Sequence, residues 1–116
     1  MSRDSLISML RALCAIYERG QGPSASVHVR YRGDEAIYKE WAPRRQTDIK
    51  DDGLLDPGFG SGPVNYADLE LVEVRLADWV AQKGEQGRKD FGALKSELAC
   101  RSDLELTDGV ITWRYV

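Results

Sequence analysis

The spacing of apolar residues changes abruptly after the first helix-like segment, and this change constrains the fold more than any other feature. Over residues 2–19, apolar side chains recur every three or four positions, which is typical of an amphipathic helix. The stripe consists of Leu6, Met9, Leu10, Leu13, Ile16 and Tyr17. Gly20 predicts the end of this helix. From Val27 the apolar residues alternate with polar ones, as in a strand with one buried face. The two periods together predict a mixed α and β domain.

The segment from Val27 to Ala42 predicts a first β-hairpin. A three-residue loop, Gly33-Asp34-Glu35, pairs Val27 with Trp41 and Tyr31 with Ile37, and this register buries the most apolar surface. The outward face is then polar and carries a small basic and aromatic group of side chains. Its members are His28, Arg30, Arg32 and Tyr38.

The segment after Asn65 fits two structures. Asn65 is a typical N-cap, and apolar spacing to Lys83 favours one long helix that ends before Gly84. Strict alternation over residues 69–76 fits the alternative, a strand that leads into a short helix. We take the long helix as the prediction. A shorter helix, 91–100, is expected after a cap at Asp90.

The carboxyl-terminal residues predict a second hairpin. Asp108-Gly109 is a signal for a type I′ turn, in which both central residues have positive φ. A two-residue turn pairs Leu106 with Ile111 and Leu104 with Trp113. With 116 residues the chain has the length of a single domain. The predicted fold is α+β, with three helices packed on two β-hairpins that are either separate or joined into one antiparallel sheet.

A long segment over residues 43–64 is rich in Pro, Gly and Asp, and it predicts an irregular loop. It holds three of the four prolines of the chain, and loops of this length in small domains are often functional. Aromatic and arginine side chains ringed by polar residues are typical of binding hot spots. The candidate partner-binding residues are Arg44, Arg45, Asp51, Asp52, Leu54, Leu55 and Phe59. The alternative is a solvated linker.

The distribution of charge favours a protein partner over nucleic acid. The net charge is −3, but residues 48–80 hold two Lys or Arg against eight Asp or Glu. Small acidic proteins can block basic surfaces of larger ones through complementary charge. The sequence therefore predicts a non-catalytic accessory or inhibitor protein that binds a larger protein through an acidic loop.

Nucleic-acid binding is the alternative function. A helix, a short helix and a terminal hairpin resemble part of a winged helix, with Lys89 and Lys95 near the recognition helix and Arg114 on the wing. The outward face of the first hairpin could instead stack bases through His28, Arg30, Arg32 and Tyr38. A complete winged helix has three helices before its wing, and two are predicted here.

Several other classes of function lack the residues that they require. The chain has one histidine and no Cys-x-x-Cys pair, so we expect neither a metal site nor a cofactor. No motif surrounds Cys14 or Cys100, so we expect no enzyme. The two distant cysteines and the absence of a signal-like or membrane-spanning apolar run predict a cytoplasmic protein. The broad apolar face of the first helix leaves a homodimer seam open as an alternative to burial.

Overall fold

A computed structural model describes residues 2–19, 26–33, 39–58 and 62–115 of the chain. Within these ranges there are three helices, a five-stranded sheet and a two-stranded sheet, all strand pairs being antiparallel. This confirms the predicted α+β fold. The helices are α1 (Ser2–Arg19), α2 (Leu76–Lys83) and α3 (Glu85–Leu98). The strands are β1 (Val27–Tyr31), β2 (Lys39–Trp41), β3 (Gly53–Leu54), β4 (Val64–Asn65), β5 (Leu69–Arg75), β6 (Glu105–Leu106) and β7 (Val110–Arg114).

The two predicted hairpins belong to one sheet because β5 lies between them. The strand order is β2-β1-β5-β7-β6. Val72 of β5 is opposite Val29 of β1 on one side and Trp113 of β7 on the other. The smaller sheet contains β3 and β4 alone.

The prediction of one long helix after Asn65 is wrong, and the alternative of a strand followed by a short helix is correct. Asn65 does cap a turn, since its Oδ1 accepts a hydrogen bond from the backbone N–H of Ala67, but that 3₁₀ turn ends at Asp68. Residues 69–75 are extended and α2 begins at Leu76. Two neighbouring strands satisfy both backbone edges of β5, and this long-range pairing outweighs the local helical spacing.

The register predicted for the first hairpin is confirmed where the structure describes it. Val27 is opposite Trp41 and His28 is opposite Glu40. Val27, Val29 and Trp41 are buried, so this face of the hairpin lies in the core. The predicted pair of Tyr31 with Ile37 lies outside the described residues.

The terminal hairpin has the predicted register but a different turn. Leu106 is opposite Ile111, as predicted, whereas β6 begins at Glu105, so the ladder does not extend to Leu104 and Trp113. The type I′ turn is wrong, because Gly109 is not among the described glycines with positive φ. The Thr107 hydroxyl closes the turn instead by accepting a hydrogen bond from the backbone N–H of Val110, at 3.0 Å.

The third helix starts earlier than predicted. It runs from Glu85, so Asp90 is an interior residue and not a cap. Gly84, with φ +63°, separates it from α2. Asp90 accepts hydrogen bonds from Lys83 of α2 and from Gln86, and these contacts use the carboxylate that suggested a cap.

The two consecutive helices α2 and α3 pack closely because α3 has a glycine at the crossing point. A Cβ at Gly87 would lie 2.1 Å from the carbonyl oxygen of Trp79. The Trp79 indole also packs edge-on against Phe91, with 6.2 Å between ring centroids. Trp41, Trp79 and Trp113 are all among the largest buried side chains. No helix in the described ranges is long and apolar enough to cross a bilayer.

We expect Gly87→Ala to lower the free energy of unfolding by about 2 kcal/mol or more, because the added methyl group overlaps backbone atoms of α2. Gly92→Ala is a matched control on the same helix, since a Cβ there meets no atom within 4 Å. The control should raise stability by roughly 0.5–1 kcal/mol through helix propensity. Urea unfolding measures the free energy of unfolding of both variants. Equal stability of the two would contradict the claim that α2 and α3 pack closely because residue 87 is glycine.

Candidate functional site

The 43–58 part of the predicted loop is held to the body by backbone hydrogen bonds. The N–H of Ala42 donates to the carbonyl of Pro57, and the N–H of Tyr66 donates to the carbonyl of Asp52, at 2.7 and 3.0 Å. The side chains of Ile49 and Leu54 are buried in the core. A 3₁₀ turn, Gln46–Asp48, and the strand β3 lie within the segment, and β3 pairs with β4 beyond it. The segment is therefore less irregular than its composition indicated.

Two polar contacts fix the first part of this segment. Glu18 at the end of α1 accepts hydrogen bonds from the side-chain amide and the backbone N–H of Gln46, at 2.8 and 3.1 Å, and these bonds lower the pKa of Glu18. Arg45 donates two hydrogen bonds to the nearly buried carboxylate of Asp48. Arg45 therefore has an internal partner, although the sequence suggested it for partner binding. Arg44 is exposed.

Beyond these contacts the segment presents an acidic tip, which we define as Asp51, Asp52, Leu55 and Asp56. All four residues are exposed, and the Leu55 side chain is 49% exposed. Leu55 and Tyr115 are the exposed large apolar side chains in the described part of the chain. The tip borders a shallow cavity of about 250 Å³. The cavity is lined by Lys50, Asp52, Gly53, Leu54, Leu55, Pro63, Val64 and Asn65.

Of the other residues predicted to bind a partner, Leu54 is corrected by the structure. Its side chain is 1% exposed, because β3 turns it into the core while Leu55 points outward. Glycine at position 53 permits the close approach of β3 to β4, since a Cβ there would lie 2.2 Å from the carbonyl oxygen of Val64. Phe59 lies outside the described residues.

Tyr66 anchors the base of the acidic tip. Its side chain is buried, and its hydroxyl has no hydrogen-bond partner among the described residues. Burial raises the pKa of Tyr66 to about 12, and Arg11 opposes this shift while Asp52 and Asp51 add to it.

The predicted nucleic-acid residues of the strands share one face of the large sheet, but carboxylates accompany them. Arg30 and Arg114 are both opposite Leu71, and His28 is on the same face of β1 as Arg30. Arg30 contacts Glu70 at 2.9 Å and Arg114 contacts Glu105 at 3.1 Å. The ring nitrogens of His28 lie 3.1 Å from Asp78 and 3.6 Å from Glu40. Phosphate groups would compete with these carboxylates for the cations.

The remaining predicted nucleic-acid residues are spread over the molecule. The Arg32 guanidinium lies 3.4 Å from the centroid of the Tyr115 ring. Lys89 is exposed on α3, while Lys95 approaches Asp108 at 3.6 Å. Tyr38 lies outside the described residues. The resemblance to a winged helix stays a prediction; β7, which carries Arg114, pairs with both β5 and β6.

A groove between α1 and the end of α3 was not predicted. It has a volume of about 330 Å³. Its lining consists of Ser8, Arg11, Ala12, Ala15, Gln46, Glu97, Leu98, Cys100 and Arg101. Four of these residues have helical spacing on α1, which could have indicated a second functional stripe. No sequence signal connects that stripe with Arg101.

The two cysteines have different surroundings. Cys14 is fully buried and Ala12 is buried, whereas Ile7 and Ala15, which also widen the apolar face of α1, are half-buried, so the homodimer seam stays a prediction. Cys100 is exposed on the rim of the groove. Within the described residues no group of three or more His, Cys, Asp or Glu side chains could hold a metal ion.

Comparison with known proteins does not connect these surfaces with a family. No protein-family model, no curated protein and no solved structure gives a significant match to the chain.

We expect one thiol per folded chain to react quickly with a disulfide reagent at pH 8. Burial raises the pKa of the Cys14 thiol to about 12, so only about one molecule in ten thousand carries the reactive thiolate at that pH. Cys100 is exposed and should be the thiol that reacts. In denaturant both should react. As a control, folded Cys100→Ser should give almost no rapid labelling, and rapid labelling of that variant would show that Cys14 is accessible.

Proposed function

We propose that this protein is a non-catalytic interaction protein that binds a basic surface of a larger protein through the acidic tip. The observation that carries the proposal is the exposure of Leu55 among Asp51, Asp52 and Asp56 on an anchored segment. The partner would present Lys or Arg side chains around a small apolar contact. An accessory or inhibitor protein works in this way when it covers a functional surface of its partner.

The anchoring of the tip supports this function energetically. Binding normally orders flexible side chains and loops, which opposes association. Here the N–H of Leu55 donates to the carbonyl of Asp48 at 2.9 Å, and β3 pairs with β4, so much of the backbone order exists before binding. The carboxylates would steer a basic partner, and Leu55 would supply the apolar contact.

A cytoplasmic location is part of the proposal. Cys14 and Cys100 are free thiols, and a reducing compartment keeps such thiols free.

The test is a comparison of three forms of the protein by cross-linking in extracts of its source cells, followed by measurement of affinity for the purified partner. The tip variant is Asp51→Asn/Asp52→Asn/Leu55→Ser. The control, Glu85→Gln/Asp108→Asn/Tyr115→Ser, removes the same charge and the other exposed large apolar side chain. We expect the tip variant to lose at least tenfold in affinity, about 1.4 kcal/mol, and the control to retain binding.

Salt provides a second criterion for the same proposal. Binding through the acidic tip should weaken as ionic strength rises, since exposed charges are screened. A partner that binds the tip variant and the wild type equally would refute the proposed site.

Nucleic-acid binding by the sheet face is the second candidate function. The observation in its favour is that His28, Arg30 and Arg114 share one face, with Arg32 stacked on Tyr115 beside it. The carboxylate partners of Arg30 and Arg114 make it the weaker candidate.

If the sheet face is a nucleic-acid site, a labelled single-stranded oligonucleotide should bind at low salt and dissociate as salt rises. Arg32→Ala/Arg114→Ala should then reduce affinity at least tenfold. Arg3→Ala/Arg19→Ala is the control, because it removes the same charge from the two ends of α1. Fluorescence anisotropy measures both, and no binding by the wild type at low salt would exclude this candidate.

A further inference from the structure

We propose that the groove between α1 and the end of α3 binds a small anion that carries a phosphate or carboxylate group, through Arg11 and Arg101. This site is separate from the acidic tip and goes beyond the proposed function. The two arginines come from different elements and line the same 330 Å³ concavity.

The arginines of the groove differ in their ionic contacts from five of the other nine arginines of the chain. Five arginines have a carboxylate oxygen within 3.6 Å, namely Arg30, Arg45, Arg75, Arg88 and Arg114. Within the described part of the chain, neither Arg11 nor Arg101 has a carboxylate within 4.0 Å. Two guanidinium groups thus line one groove without an internal counter-ion.

The rest of the lining suits an anion of limited size. Ser8 contributes a hydroxyl that can donate a hydrogen bond, while Ala12 and Leu98 form apolar parts of the wall. Guanidinium groups donate two parallel hydrogen bonds to phosphate or carboxylate oxygens. Gln46 closes one side and is fixed by its two hydrogen bonds to Glu18.

Two features limit the affinity and the charge of the ligand. Glu97 also lines the groove, so a highly charged polyanion would be repelled. The carboxyl end of α3 lies at Leu98, and its partial negative charge opposes an anion. Two charge-assisted contacts, opposed by Glu97 and by the helix end, give an expected dissociation constant of about 1 mM for the anion.

The experiment is a titration of the folded full-length chain with inorganic phosphate and separately with acetate, followed by backbone amide NMR. Sodium chloride holds the ionic strength constant. We expect saturable shifts of the amides of Ser8, Arg11 and Arg101 with at least one of the two anions. The two titrations show whether the site prefers phosphate or carboxylate.

Arg11→Gln/Arg101→Gln should weaken this binding at least tenfold. Arg3→Gln/Arg19→Gln, which removes the same charge from the two ends of α1, should leave it unchanged. Glu97→Gln should strengthen it several-fold, because a repulsive carboxylate is removed. The tip variant should bind phosphate like the wild type, so the two proposals fail independently.

Shifts that rise linearly without saturation, or that persist in Arg11→Gln/Arg101→Gln, would overturn the proposal and indicate general screening of surface charge. Equal weakening by both arginine pairs would do the same. The unchanged amide spectrum away from the groove shows that each variant is folded, so loss of binding cannot be attributed to unfolding.

Discussion

The fold depends on the position of β5 between the two hairpins. A single two-stranded hairpin is marginally stable in water. Each hairpin of this chain therefore depends on a third strand that lies outside the hairpin in the sequence. β5 pairs with β1 through Val72 and Val29 and with β7 through Val74 and Ile111, and all four side chains are buried. These ladders turn two local structures into one sheet with a common core.

The junction between β5 and α2 is held from both neighbouring strands. The N–H of Leu76, the first residue of α2, donates to the carbonyl of Gly109 in the terminal turn. On the other side, the indole N–H of Trp79 donates to the carbonyl of Ser26, and Gln82 contacts both the backbone and the hydroxyl of Ser26. The abrupt change from strand to helix is therefore fixed by tertiary contacts, and it sets the position in which α3 can meet α1.

The same arrangement decides which acids remain available to a partner. Residues 48–80 contain eight acids, but Asp48, Glu70 and Glu73 contact arginines, and Asp78 lies beside His28. Asp51, Asp52 and Asp56 stay exposed at the tip, and Asp68 is exposed outside it. Three of the eight acids thus remain available at the tip, and the basic character assigned to the first hairpin is largely neutralised.

The sequence by itself determined the features that depend on neighbouring residues. These are the bounds of α1, from its apolar stripe and Gly20, and the registers of both hairpins, from alternation and turn length. It also indicated that residues 43–64 carry the exposed acids Asp51 and Asp52. Only the tertiary structure decided that residues 69–75 form a strand, because helix and strand periods both fit there and two distant partners chose between them. It also decided that Leu54 is buried, that Arg30 meets Glu70, and that Arg11 and Arg101 line one groove. The physical reason is that such contacts join residues far apart in the chain, and no local period records them.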